Sequence, residues 1–263
     1  MNYHRYVLVF LLALPCRAVC QQEAGTIVVF RLLSERAVIA ADSKTNRRCP
    51  GVKNPIVCYG VCKILAFDNK YIFAASGYSG RFDSCQSSHT LWNIRDITKN
   101  LYRDGRITGV DDFAQKWSAK MLSVLSEDAK ISPPRTGPEG QIVIGIFMGV
   151  SEGKVTGRGV LFQFEADRHI HVYPHPLVAS ERPQDMGYDD PLLEFQANKT
   201  ARAKVWHRRI DKLAPDDQII ALAKLDRDFD KSGEVGGQID AIRITAKGVE
   251  WLAGKPACKQ AHK

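Results

Sequence analysis

The chain has 263 residues, 44% of them hydrophobic and 25% charged, with a formal net charge of +8. This composition can bury a full-sized core and excludes a disordered or fibrous chain. The Lys and Arg residues are scattered, with Arg47-Arg48 and Arg208-Arg209 the only adjacent pairs. Such a charge favours solubility or attraction to an acidic surface over nucleic-acid binding.

The first twenty residues read as a secretory signal peptide. Met1 to Tyr6 is a short head containing Arg5, Val7 to Leu14 is an unbroken apolar run, and Cys16, Ala18 and Cys20 supply small residues for cleavage. The apolar run is too short for a stop-transfer helix, and no later segment approaches the roughly 18–20 apolar residues of a membrane span. Export outside the cytosol, as a secreted or periplasmic protein, is therefore expected. Of the 7 cysteines, Cys49, Cys58, Cys62, Cys85 and Cys258 remain after the leader, and in an oxidising compartment they are disulfide candidates.

Thr26 to Leu33 and Ala37 to Ala41 are rich in β-branched residues and flank the polar Ser34-Glu35-Arg36, which predicts a hairpin buried on both faces. A cysteine-rich loop follows. Lys63 to Phe67 and Tyr71 to Ala75, across Asp68-Asn69-Lys70, predict a second hairpin. Gly77 and Gly80 then open a helix expected over about Phe82 to Tyr102, and Asp111 to Leu125 repeats the helical spacing through Phe113, Trp117, Met121 and Val124. Ser132 to Gly140, with its prolines and glycines, reads as a surface loop. Ile142 to Val150, Gly159 to Phe164 and His169 to Tyr173 read as strands. One helix is expected over about Pro191 to Leu213 and another over Pro215 to Asp230, with Pro215 in the first turn. A closing hairpin pairs Ile239 to Thr245 with Val249 to Leu252. Runs of strands and paired helices in this order indicate an α+β fold.

The segments GTIVVF, VIAADSK, CKILAF and AASGYSGRFDSC, in this order, resemble the opening of a proteasome β subunit, a member of the N-terminal-nucleophile hydrolases. The resemblance is best over residues 25 to 85. It implies a four-layer αββα sandwich, two antiparallel sheets flanked by helices, and a short propeptide over 21–25 ahead of a single domain over 26–263. It also implies Thr26 as nucleophile, Asp42 as supporting carboxylate and Lys63 as the cation beside them. The later family pattern, an Asp followed by Ser-Gly-Gly, has its nearest matches at Asp230, Ser232 and Gly233 within DFDKSGEVGGQID. The implied partners are a peptide or amide substrate and other copies of the chain in a homo-oligomer. Neither a cofactor nor a metal is implied.

The residue types suit that chemistry on independent grounds. A threonine hydroxyl needs a base to take its proton, and a free α-amino group on the same residue, with a pKa near ~8, can serve. A nearby lysine lowers the hydroxyl pKa, and an aspartate keeps that lysine charged and oriented. Asp42 lies sixteen positions after Thr26, the family spacing without a gap. If TIVV is matched instead to the second residue onward of a TTIIG start, the nucleophile position falls on Gly25 and the chain is inactive. A non-catalytic subunit and a small-molecule amidase thus stand as alternatives to a threonine peptidase.

Three other patterns read as bland. Asp228, Asp230 and Ser232 begin a calcium loop whose twelfth position is Ile239 where a Glu belongs. His169, His171 and His175 suggest a metal cluster but read as a solvated strand edge. Asn198-Lys199-Thr200 fits a glycosylation acceptor.

Overall fold

The computed structural model describes residues 21–254 apart from 25–26, 50–53, 55, 60, 85–88, 132, 135, 181, 187–189 and 231–234. In chain order, β1 (Gln21–Ala24) precedes the hairpin of β2 (Val28–Leu32) and β3 (Arg36–Asp42). The strands β4 (Lys44–Arg48), β5 (Ile56–Tyr59), β6 (Ile64–Phe67), β7 (Tyr71–Phe82) and β8 (Thr90–Asn93) follow. Helices α1 (Ile94–Asp104) and α2 (Val110–Ile131) lead to β9 (Gln141–Ser151), β10 (Lys154–Phe164), β11 (Ile170–Pro176) and the short β12 (Gln184–Met186). Helices α3 (Asp190–Ala197), α4 (Ala201–Ile210) and α5 (Pro215–Phe229) come next, and β13 (Ile239–Thr245) and β14 (Gly248–Ala253) close the fold.

The strands form two antiparallel sheets. One has nine strands in the order β11-β10-β9-β7-β1-β4-β5, with β6 and β8 also paired to β7; the other has five, β12-β2-β3-β13-β14. The hairpin β2–β3 shows why its strands are apolar apart from Arg31, Arg36 and Asp42. Val29, Val38 and Ala40 join a core with Ala203, Trp206, Ile219 and Leu222 of α4 and α5, while Val28, Phe30, Ile39 and Ala41 join one with Ile72, Ala74, Ile146 and Met148 of the larger sheet. Because side chains alternate along a strand, each face has its own core and neither meets water. On the far face of the larger sheet, Phe113, Trp117, Met121 and Leu125 of α2 pack on Phe73, Phe147 and Phe162.

A polar network fixes α2 to β7 and β8. Asp128 is 3% exposed, accepts from the Tyr78 hydroxyl at 2.7 Å and Trp92 Nε1 at 3.0 Å, and lies 2.5 Å from Arg81 Nε. Burial, reinforced by the Asp128 charge, pushes the Tyr78 hydroxyl pKa far up, so it remains a neutral donor.

The expected four-layer αββα sandwich is corrected to a strand-dominated α+β arrangement. Strand makes up 41% and helix 32%, and fourteen strands in two unequal sheets stand against five α-helices among the described residues. Much of the difference is strand that lacks apolar alternation. The cysteine-rich loop contributes β4, whose text is KTNRR, and β5. The helix expected from Phe82 begins only at Ile94, because β7 runs through Gly77 and Gly80 to Phe82 and β8 follows. Gly77 sits at φ +102°, and a Cβ there would come 2.4 Å from the Ile142 carbonyl oxygen, so only glycine lets β7 pass. Before it β7 pairs with β6 and β9; beyond it the strand pairs with β1 and β8. The single helix expected over Pro191 to Leu213 is two, broken where Asn198 takes φ +49° and Thr200 caps α4 by accepting from the Ala203 amide.

Candidate functional site

Asp42 ends β3 opposite Ile239 of β13, and its carboxylate is wholly buried. Four donors meet it. Oδ1 accepts from the Ile27 amide at 3.0 Å and from Lys63 Nζ at 2.8 Å; Oδ2 accepts from the amides of Lys44 at 3.1 Å and Gly236 at 3.0 Å. Lys63 stands one residue before β6, with 5% of its side chain exposed. A buried ion pair of this kind is tolerable only because its remaining lone pairs are satisfied by backbone amides. The pair is thus tied to the start of β2, to the β3–β4 junction and to the segment before β13.

Ser43 extends the clamp. Its amide donates to the Gly236 carbonyl at 3.2 Å, its carbonyl accepts from the Val61 amide at 3.1 Å, and its hydroxyl accepts from the Gln238 amide at 2.9 Å. Beside Lys63 lies a cavity of about 100 Å³ whose walls include Thr45, Leu65, Phe73, Ala75 and Ile94. It is large enough for a small aliphatic side chain and mostly apolar.

Among the residues expected at a site, Asp42 and Lys63 meet directly. Thr26 and Ser232 lie outside the described residues, although Ile27, covalently next to Thr26, is bonded to Asp42. Asp230 ends α5, where its carboxylate accepts from the Val235 amide at 2.7 Å. It holds Val235, the neighbour of the Gly236 whose amide meets Asp42, and so acts one step removed from the ion pair. The chain matches no protein-family model and no curated protein. The functional reading therefore rests on these residues and their geometry.

Residues 21–24, expected in a propeptide, form β1, which is hydrogen-bonded antiparallel between β4 and β7. Ala24 stands opposite both Asn46 and Tyr78, and Glu23 opposite both Arg47 and Gly80. QQEA carries no apolar alternation that would mark a strand. Ser43, Gly236 and the small cavity were likewise missed; the only hint was the serine following Asp42 in AADSK.

The bland patterns resolve locally. His171 Nε2 meets Asp167 Oδ2 at 2.9 Å, a carboxylate partner four residues away, and that bond raises the His171 pKa above its ordinary value. Asp228 is paired with Arg227 at 2.7 Å. Among the described residues, no cluster of three or more His, Cys, Asp and Glu could hold a metal ion, and no helix is long and apolar enough to cross a membrane. Cys49 and Cys62 are buried and disulfide-bonded, whereas Cys58 carries a free thiol.

Proposed function

We propose that this chain is an N-terminal-nucleophile hydrolase of peptide or amide bonds, exported from the cytosol, with Thr26 as nucleophile after cleavage at Gly25-Thr26. The observation that carries the reading is the shared Asp42 Oδ1: one buried carboxylate oxygen holds both the Lys63 ammonium and the backbone amide of the residue that follows Thr26. That bond keeps a charged lysine within one residue of the candidate nucleophile. In the reaction, the Thr26 hydroxyl adds to the substrate carbonyl carbon and its proton passes to the free α-amino group of the same residue. Collapse of the tetrahedral oxyanion breaks the C–N bond, the leaving amine takes that proton, and an acyl ester remains on Thr26. Water, activated by the same amine, hydrolyses the ester. Lys63 stabilises the developing negative charge at the hydroxyl, and Asp42 keeps Lys63 in place.

The place held by β1 supports an extended substrate. A peptide that replaced residues 21–24 would find ladder partners on both β4 and β7, with the small apolar cavity beside Lys63 available to one of its side chains. The same strand supports a second reading. A chain that retains residues 21–25 keeps the Thr26 amine in a peptide bond and acts as a non-catalytic subunit, and self-association into a homo-oligomer accompanies either form.

Intact mass and N-terminal sequencing of the exported protein, with turnover of peptide amides, test the proposal. Expected are a mature N-terminus at Thr26, loss of turnover in Thr26→Ala and Lys63→Ala, partial activity in Thr26→Ser, and a lower pH limb near ~7–8 set by the amine. A protein that begins near Gln21, stays so on incubation and hydrolyses nothing selects the non-catalytic reading.

A further inference from the structure

The cavity beside Lys63 is not uniformly apolar. Leu65, Phe73, Ala75 and Ile94 make up much of its wall, but Arg95 lines it as well, from the first turn of α1. Arg95 is half-buried, and among the described residues its guanidinium makes no hydrogen bond and no ion pair. Arg158, Arg227 and Arg243 are also half-buried, and each of them meets a carboxylate. The second cation of the cavity wall, Lys63, has the charge of Asp42 against it at 2.8 Å. Arg95 has no such counter-charge.

Its position is unfavourable on two further counts. A cation in the first turn of a helix faces the positive end of the helix dipole. Lys99 stands four residues on along the same helix, and like charges at that spacing repel. Burial and the Arg95 charge together pull the Lys99 pKa below its ordinary value, against the opposite pull of Asp96. Asp96 itself is engaged with the helix cap: its amide donates to Asn93 Oδ1 at 2.8 Å, and its carboxylate accepts from Asn93 Nδ2. An anionic group seated in the cavity would relieve what the chain leaves unbalanced there.

We infer that this cavity takes the side chain of a substrate aspartate or glutamate, with Arg95 as the residue that selects it. The methylenes would lie on Leu65, Phe73 and Ile94, and the carboxylate would meet the guanidinium, whose planar donors match two oxygens at once. The inference rests on the hydrolase reading and names its substrate class: peptides with an acidic residue at the attacked carbonyl. That position follows because Lys63, held through Asp42 within one residue of Thr26, also walls the cavity.

Two measurements on the exported protein separate this inference from the hydrolase reading. The first compares kcat/KM for peptide amides that differ only in carrying Glu, Gln or Leu at the attacked carbonyl. Glu should be preferred over Gln by about tenfold or more. Arg95→Gln should remove that preference by slowing the Glu peptide alone, and Lys130→Gln, whose lysine pairs with Glu127 on α2 outside the cavity, should leave it unchanged. The second needs no turnover: NMR titration with the α-amides of N-acetylglutamate and N-acetylglutamine, single-residue ligands that require the cavity and no ladder. The glutamate ligand should bind saturably, shift the amide signals of Asn93, Ile94 and Arg95, and weaken about tenfold in Arg95→Gln. Arg95 makes no hydrogen bond among the described residues, so this variant should fold. Hydrolysis of none of the peptides would sink the hydrolase reading and leave the titration to decide the cavity. Equal binding of the two ligands, no saturable binding of either, or a glutamate affinity unchanged in Arg95→Gln overturns the inference, as does a Glu peptide cut no faster than its Gln counterpart.

Discussion

Replacing Asp42 by Asn changes one oxygen for an NH₂ group and probes the most densely bonded side chain of the candidate site. Whichever way the amide is turned, its nitrogen faces two donors: either the Ile27 amide and Lys63 Nζ, or the amides of Lys44 and Gly236. At least two hydrogen bonds are lost, and Lys63, with 5% of its side chain exposed, loses the charge of Asp42. Breaking a buried pair from one side costs about 3–5 kcal/mol, and an unsatisfied buried amide adds about 1 kcal/mol or more. The expected loss is therefore about 4–6 kcal/mol, a large share of the ~5–15 kcal/mol typical of a domain. Urea unfolding followed by tryptophan fluorescence measures it. Adding Lys63→Met removes the buried cation, so the double variant should recover about 2 kcal/mol relative to Asp42→Asn alone. An Asp42→Asn chain within about 1 kcal/mol of wild type, or a double variant no more stable than the single one, would refute this account of the site.

Asp128→Ala should cost about 3–5 kcal/mol in the same assay, because Arg81 loses its buried partner and Tyr78 and Trp92 lose their acceptor; a loss below about 1 kcal/mol would show that the network is not structural. Gly145→Ala places a Cβ 2.7 Å from Trp117, and the expected overpacking cost is about 1–3 kcal/mol with an altered near-ultraviolet signal from that indole. His171 should titrate above its ordinary range by NMR, since its bond to Asp167 favours the protonated ring, and Asp167→Asn should bring it back down. Any contribution of this exposed pair to stability is present at low pH and fades as pH rises through the raised His171 pKa.

Apolar, β-branched text made some elements readable. The hairpin Ile239 to Thr245 with Val249 to Leu252 is found at Ile239–Thr245 and Gly248–Ala253, and Pro215 opens α5 as expected. Asp68 and Asn69 both take positive φ in the turn between β6 and β7, as a tight hairpin requires. What stayed hidden was strand made by pairing rather than by pattern. β1 and β4 are polar, and they are strands because β7 and β5 supply ladders for them. At the site, Asp42 and Lys63 could be placed together from the family-like spacing, but the Gly236 amide could not. Gly236 lies nearly two hundred residues along the chain from Asp42, beside the Val235 amide that Asp230 holds.

The two-sided burial of β2 and β3 also bears on how this chain can change over generations. A one-residue insertion in either strand would swing half of its side chains into the wrong core, and with no watery face to absorb the misfits such a lineage would fail to fold. Length can drift only in the connections, such as the link between β4 and β5, where added chain costs little closure entropy. The lengths of β2 and β3 are thus held by packing alone, whatever chemistry the site performs, while the link between β4 and β5 is free to lengthen.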